Sequence, residues 1–278
     1  MNIDGHTRFL AHIGFPTHSF KAPLIYNPYF EDAGINCVVV PMSCQPEALS
    51  GLISALRVLG NFAGALITMP HKSTVMSLLD EASPTARIAN ACNAVRCDAQ
   101  GRLIGDMFDG EGFVRGVRNK GFDPSGKAAL IVGSGGVGSA IAASLAQAGV
   151  AHLALYDLRD AQAQALGERL QAHYPQLKVT TGSNDPAGFD LVVNASPMGM
   201  EVNDPLPVDV ERLSPSTFVG EVVMRTETTA FLAAAKARGC ATQVGVDMLF
   251  EQIPAYLEFF DLPTTTAQEL RRLARIQY

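Results

Sequence analysis

The segment 128-AALIVGSGGVGSAIAASLAQAG-149 constrains this chain more than any other. An apolar run of strand type enters the turn 133-GSGGVG-138, and an Ala-rich helical run leaves it. Gly133 permits the tight turn, Gly135 lets the backbone approach a pyrophosphate, and Gly138 lets helix and strand pack closely. The helix N-terminus then offers its N–H groups and its dipole to the phosphates. Gly136 and Val137 complete the same turn. Such a turn can also close an ordinary βαβ unit. Here the next strand, 151-AHLALYD-157, ends in Asp157, about 20 residues on, where a carboxylate binds the adenine-ribose hydroxyls. The segment therefore predicts a Rossmann-type unit that binds a dinucleotide. A carboxylate at position 157 repels a 2′-phosphate, which favours NAD. NADP stays possible through Arg159, which could accommodate that phosphate or simply be a solvated charge opening a helix.

The remainder alternates short apolar runs with longer Ala/Leu-rich ones. Strands are expected at 8–14, 35–41, 63–68, 93–97, 128–133, 151–157, 190–196 and 217–223. Helices are expected at 46–59, 72–80, 110–120, 137–149, 160–174, 228–238 and 247–260, with a helical tail over 264–275. This pattern predicts an α/β fold with parallel sheets covered by helices. The 278 residues suit two domains of about 100–200 residues each. The polar stretch 118-RNKGFDPSGK-127 precedes the glycine-turn strand, and a second transition lies at 245-GVDM-248. We therefore expect a mainly parallel α/β substrate domain over 1–108, a Rossmann domain over 109–246, and C-terminal helices, 247–278, returning to the first domain.

Composition narrows the function. With 47% hydrophobic and 17% charged residues the chain is not disordered. A net charge of −6 and a pI near 5.5 exclude an overall basic nucleic-acid binder. No apolar run approaches the ~20 residues that span a bilayer, and MNIDGHTRFL has no signal-peptide pattern. Five scattered cysteines without a C-x-x-C read as reduced core thiols of a cytoplasmic protein, and no metal-ligand spacing is visible. The balance suits a monomer or homodimer that handles small molecules.

The first half holds a polar cluster that packing does not require: 14-GFPTHSFKAP-23, 67-ITMPHK-72, 90-NACNAV-95 and 105-GDMFDGEGF-113. Each piece follows an expected strand, and open parallel sheets bind ligands beyond the carboxyl ends of their strands. Lys72 and Asp109 form a candidate acid/base pair. Thr68 and Asn93 could bind hydroxyls.

With these motifs in hand, the sequence resembles the shikimate/quinate dehydrogenase family along essentially its whole length. The family's opening Gly-x-Pro-x-x-His-Ser-x-Ser-Pro is echoed by Gly14, Pro16, His18, Ser19 and Pro23. Its Asn-Val-Thr-x-Pro-x-Lys is echoed by Thr68, Pro70 and Lys72, and its Asn-Thr-Asp-Gly-x-Gly by 107-MFDGEG-112. Its Asn-x-Thr-x-x-Gly-Met resembles 194-NASPMGM-200, and its Gly-x-x-Met-Leu-x-x-Gln matches 245-GVDMLFEQ-252. The resemblance implies Lys72 and Asp109 as catalytic residues. It implies Ser19, Thr68, Asn93 and Gln252 as contacts to a shikimate-like carboxylic acid, and Asn194 and Met248 as contacts to the cofactor. The implied reaction is reversible oxidation of a ring secondary alcohol, with hydride passing to the nicotinamide and the hydroxyl proton carried by Lys72.

The departures are specific. Lys21 stands at the position taken as the motif's second Ser, Met224 where a Tyr reaches the carboxylate, Leu66 before Thr68, and Met107-Phe108 before Asp109. They resemble divergent branches that include aminoshikimate dehydrogenases. A lysine at position 21 could answer the substrate carboxylate with a charge-assisted bond, roughly twice as strong as a neutral one; a solvated loop lysine is the other reading. His18 and His71 adjoin motif residues without an identifiable partner. A different two-domain dehydrogenase would not need Asp109, Asn93 and Gln252 together. A non-catalytic NAD(H) sensor would not need the Lys72/Asp109 pair, and a scaffold would need neither the glycine turn nor Asp157.

Overall fold

The computed structural model describes residues 3–201, 204–226 and 228–276. The chain forms two compact units, residues 1–108 with 253–278, and residues 109–252. The C-terminal return thus falls at 253 rather than at 247.

The first unit runs β1 (Arg8–Gly14), α1 (Pro23–Asp32), β2 (Cys37–Ser43), α2 (Leu49–Leu56), β3 (Phe62–Ile67), β4 (Glu81–Ala82), α3 (Pro84–Ala89), β5 (Ala94–Cys97) and β6 (Leu103–Asp106). Its sheet has the order β2-β1-β3-β5-β6-β4. β1 pairs in parallel with β2 and β3, whereas β5 runs antiparallel to both β3 and β6. Strand alternation divides β1: Ala11 and Ile13 enter an apolar core with Ile53, Ala65 and Ile67, which leaves Leu10, His12 and Gly14 on the opposite face.

The second unit runs α4 (Asp109–Asn119), β7 (Ala128–Val132), α5 (Gly136–Gln147), β8 (His152–Tyr156), α6 (Asp160–His173), β9 (Lys178–Thr181), β10 (Leu191–Asn194), β11 (Phe218–Glu221), α7 (Ala230–Ala237), β12 (Ala241–Gln243) and α8 (Gly245–Glu251). All its strand pairs are parallel, in the order β12-β11-β10-β7-β8-β9. That is the doubly wound 3-2-1-4-5-6 order, which reverses between β7 and β10. The chain then returns to the first unit as α9 (Ile253–Phe259) and α10 (Ala267–Leu273).

Several expectations shift. The single helix over 247–260 is two helices, α8 and α9. Pro254 at the second position of α9 has no N–H to continue the α8 ladder, and α8 stays in the second unit, packed on α4. The helix over 72–80 is a 3₁₀ turn, Thr74–Leu78, and that over 46–59 is a 3₁₀ turn, Pro46–Ala48, followed by α2. Helix α1 was not expected, since Pro28 lies inside it. Burial of Ile25, Tyr26, Tyr29 and Phe30 holds it, as do paired bonds between the Asn27 amide and the backbone of Val39. The short strands β4, β6, β9 and β12 and helix α3 also escaped the pattern, being too brief to show a period.

Candidate functional site

The second unit builds a groove from backbone. β7 runs into Gly133, whose φ is +104°, a conformation open to glycine, and whose N–H bonds Tyr156 O at 2.7 Å. A Cβ at Gly138 would lie 1.9 Å from Gly133 O, so only glycine lets α5 start this close to the strand. A Cβ at Gly135 or Gly136 would meet nothing within 4 Å. Those two residues therefore face open space at the start of α5, which has no side-chain cap on its N–H groups. These are the features a pyrophosphate needs, and the turn fits one.

Asp157 closes the far end. Its Oδ2 accepts from Ser134 N at 2.8 Å and its Oδ1 from Arg159 N at 2.9 Å, so the carboxylate locks the turn to the end of β8. The Arg159 guanidinium lies 3.8 Å away and is largely exposed. A cavity of about 430 Å³ is lined by Gly133, Gly135, Tyr156, Asp157, Leu158 and Arg159 on one side and by 195–198, Asp204 and Pro205 on the other. It opens where the strand order reverses.

The other cofactor-side residues take different places. Val137 is half-buried in the first turn of α5. Asn194 is fully buried and shapes the lining loop: its Oδ1 accepts from Ser196 N and Oγ, and its Nδ2 donates to Met198 O. Met248 is buried on α8, its carbonyl against Gly112. Among the linings, Leu158, Pro197 and Asp204 were not read from the sequence; the quoted motif 194-NASPMGM-200 pointed to that loop without saying which atoms line it. Asp109 opens α4 and is buried, and Gln252 follows α8 with a buried Oε1 that has no hydrogen-bond partner among the described residues.

The first unit builds its edge from side chains, where β1 and β3 end and the antiparallel β5 begins, so that Asn93 precedes its strand rather than following it. Thr68 follows β3 and bonds through its N–H to Ile13 O at 2.9 Å. The turn after it carries half-buried Lys72, whose carbonyl accepts from Cys92 N at 2.8 Å. His71 is fully buried and bonds through Nε2 to Cys44 O at 2.8 Å, tying the lysine's turn to the end of β2. Asn93 is buried, and its Oδ1 accepts from Phe108 N at 2.9 Å. In the loop before α1, Ser19 and His18 are exposed and Lys21 is half-buried. Two residues without a sequence signal complete this edge. His12 on β1 is buried and stacks on Phe20, with ring centroids 4.0 Å apart and 27° between planes. Burial, with the Lys72 charge adding to it, pushes the His12 imidazole down to about 4, so it is neutral near pH 7.

Lys72, Thr68, Asn93, Ser19 and Lys21 thus lie in the first unit. Asp109, Gln252 and the cofactor-side residues lie in the second. Among the described residues no cluster of His, Cys, Asp or Glu is arranged for a metal ion, and no helix is long and apolar enough to cross a membrane. Cys37, Cys44, Cys92 and Cys240 are buried, and burial raises the Cys92 thiol to about 12.

A doubly wound sheet whose glycine turn and acidic strand end border one groove defines the Rossmann-type, NAD(P)-dependent class. A family model described as the shikimate dehydrogenase substrate binding domain matches residues 13–95. The shikimate dehydrogenase (NADP(+)) of Rubrobacter xylanophilus is 38% identical over 254 residues, 90% of this chain and 89% of the relative. The structure of shikimate 5-dehydrogenase from Listeria monocytogenes, in complex with shikimate and NAD, superposes with a TM-score of 0.92 at 26% identity, covering 98% of both chains. Quinate dehydrogenase from Corynebacterium glutamicum, in complex with NAD, gives a TM-score of 0.86 at 31% identity, covering 96% of this chain and 98% of the other. The chain belongs to the shikimate dehydrogenase family and is an NAD(P)-dependent oxidoreductase.

Proposed function

We propose that the chain interconverts a ring secondary alcohol and its ketone on shikimate or a close carboxylic-acid analogue. The second unit (109–252) holds the dinucleotide and the first (1–108 with 253–278) takes the substrate. The observation that carries this reading is Lys72, half-buried on a turn that the buried His71 anchors after β3, within the stretch that matches the substrate-binding model. NAD(P), when bound, accepts or supplies the hydride. Lys72 carries the hydroxyl proton, and Asp109 is the second member of the acid/base pair. Thr68, Asn93, Ser19 and Gln252 bind the polar rim of the substrate, and Lys21 pairs with its carboxylate. The cofactor is held by Gly133, Gly135, Gly136, Val137 and Gly138 at the pyrophosphate, and by Asp157 at the adenine ribose. Asn194 acts by shaping the lining loop, and Met248 by packing.

NAD is the preferred cofactor in this reading. The Asp157 carboxylate is fixed by two backbone N–H groups, whereas the Arg159 guanidinium beside it donates to Gln162 Oε1 at 2.9 Å and is largely exposed, so that solvent screens its charge. Steady-state turnover of shikimate and of quinate with NAD and with NADP tests both parts. Turnover of either acid supports the reading, and a higher kcat/KM with NAD supports the cofactor assignment. No turnover of either acid with either cofactor overturns the reading. The quinate dehydrogenase likeness, at 31% identity, is why quinate stands beside shikimate in the test.

A further inference from the structure

The loop between β1 and α1 folds back over the end of β1 and lays Phe20 across Gly14. A Cβ at Gly14 would lie 2.8 Å from Phe20 Cζ, 2.4 Å from Thr68 Cγ2 and 2.8 Å from Met69 O. The glycine is therefore what lets the ring and the threonine both approach this point of the chain. Gly14 is the last residue of β1, and Thr68 is the first after β3 beside it, with Ile13 paired to Ile67. The Phe20 ring thus sits at the carboxyl edge of the parallel strands, near Thr68, which the reading above assigns to the substrate. It is half-buried, so it has an accessible part, and its other side is held by His12. An aliphatic residue at position 12 would fill that space equally well in a core. A buried imidazole whose Nδ1 finds no hydrogen-bond partner among the described residues is a poor choice for packing alone, but it gives a flat, rigid backing for a second ring.

We propose that Phe20 is a specificity-determining residue of the substrate edge, whose ring takes the apolar C–H face of the substrate carbocycle while Thr68 beside it reads a hydroxyl. The ring of a polyhydroxylated acid carries its hydroxyls on the rim and C–H bonds on its faces. The negative face of an aromatic ring attracts those C–H bonds and contributes beyond area burial. The inference rests on the dehydrogenase reading above.

The test is the steady-state kinetics of wild type, Phe20→Ala, Phe20→Leu and Phe20→Tyr with shikimate and with quinate. Phe20→Ala should raise the substrate KM roughly tenfold, the scale of one lost aromatic packing contact. The value of kcat should stay within about threefold and the cofactor KM should not move, the pattern of lost uniform binding. Phe20→Tyr should keep the wild-type KM. Phe20→Leu, with similar bulk and no ring, should sit near Phe20→Ala, and it carries the test if the alanine variant does not fold. A substrate KM unmoved in Phe20→Leu, or a cofactor KM rising in step with it, overturns the inference. Wild type inactive on both acids overturns the dehydrogenase reading and this inference together; wild type active with unmoved variants overturns this inference alone.

Discussion

In the proposed reading the two units face the same problem, binding a polar ligand at the carboxyl ends of parallel strands, and they meet it in different materials, the second with an all-parallel sheet and the first with a mixed one. The cofactor groove of the second unit is made mainly of backbone: Gly133 in a positive-φ turn, open N–H groups at the start of α5, and one carboxylate tying the turn to the end of β8. The edge of the first unit proposed for the substrate is made of side chains from separate segments: Lys72 on a turn pinned by His71, Asn93 tied to Phe108, and Phe20 stacked on His12. A backbone site tolerates drift in most positions and fails at the few glycines that define it. A side-chain site can change its ligand by a few substitutions while the sheet stays as it is. The departures at Lys21, Leu66, Met107 and Met224 all fall outside the glycine turn.

The sharpest way to break this comparison is to remove the proposed proton carrier. Lys72→Ala, and separately Asp109→Asn, should lower kcat on the order of 10²–10⁴-fold. Cofactor affinity, followed by calorimetric titration, should stay within about threefold. Parallel loss of cofactor binding would show that the two binding functions are not separable.

The next effect concerns stability. The His12 imidazole is held near 4 when folded, against 6.5 when free. Between those values the unfolded chain binds a proton that the folded chain refuses, so the folded state loses ground as pH falls from about 6.5 to about 4, by roughly 3 kcal/mol in all. Above 6.5 the contribution is flat. His12→Leu should lack this part of the slope. Denaturant melts of both proteins across pH 4.5–7.5 (a range chosen about the two values above) check it, and identical slopes would place His12 in water rather than in the sheet.

Lys21→Ala should raise the substrate KM roughly ten- to a hundredfold with little change in kcat, the loss expected of a charge-assisted bond worth about 1.5–3 kcal/mol. Lys21→Ser should recover part of it, and the substrate's methyl ester should be nearly indifferent to the change. An unchanged KM with the free acid would make Lys21 a solvated loop residue.

The smallest effect sharpens the cofactor side. Asp157→Ala should narrow the NAD-to-NADP ratio of kcat/KM by about tenfold, equivalent to ~1.4 kcal/mol. Substrate KM should not follow. A wild-type preference for NADP, as in the names of the curated relatives, would make Arg159 the discriminating residue.

How much of this was legible differs between the two regions. Gly133, Gly135, Gly138 and Asp157 could be read because a turn of that shape admits few residue types, so the constraint is written in consecutive letters. Asn194 is expected as a cofactor contact, and the letters do not show that its amide also bonds Ser196 and Met198 of the lining loop. His12 and Phe20 carry no local signal. The one hint was a histidine inside the otherwise apolar end of 8-RFLAHIG-14, and nothing in the letters says that the following loop folds back to stack on it. Helix α1 was invisible for a related reason: Pro23 suits a helix start, but Pro28 argues against a helix locally, and burial against the sheet outweighs it.

The sequence by itself determined the doubly wound unit, the acid at its second strand end, and the spaced polar motifs, because each is a short-range rule of backbone geometry or strand-end placement. The tertiary structure decided which side chains those motifs meet. It set His71 under the lysine's turn, Phe20 over Gly14, and the break before Pro254 that leaves α8 with the second unit and returns α9 to the first. The proline break is itself a local rule, but the approach of His71 to Cys44 and of Thr68 to Gly14 joins residues far apart in the chain, where space and burial, not local propensity, choose the partner.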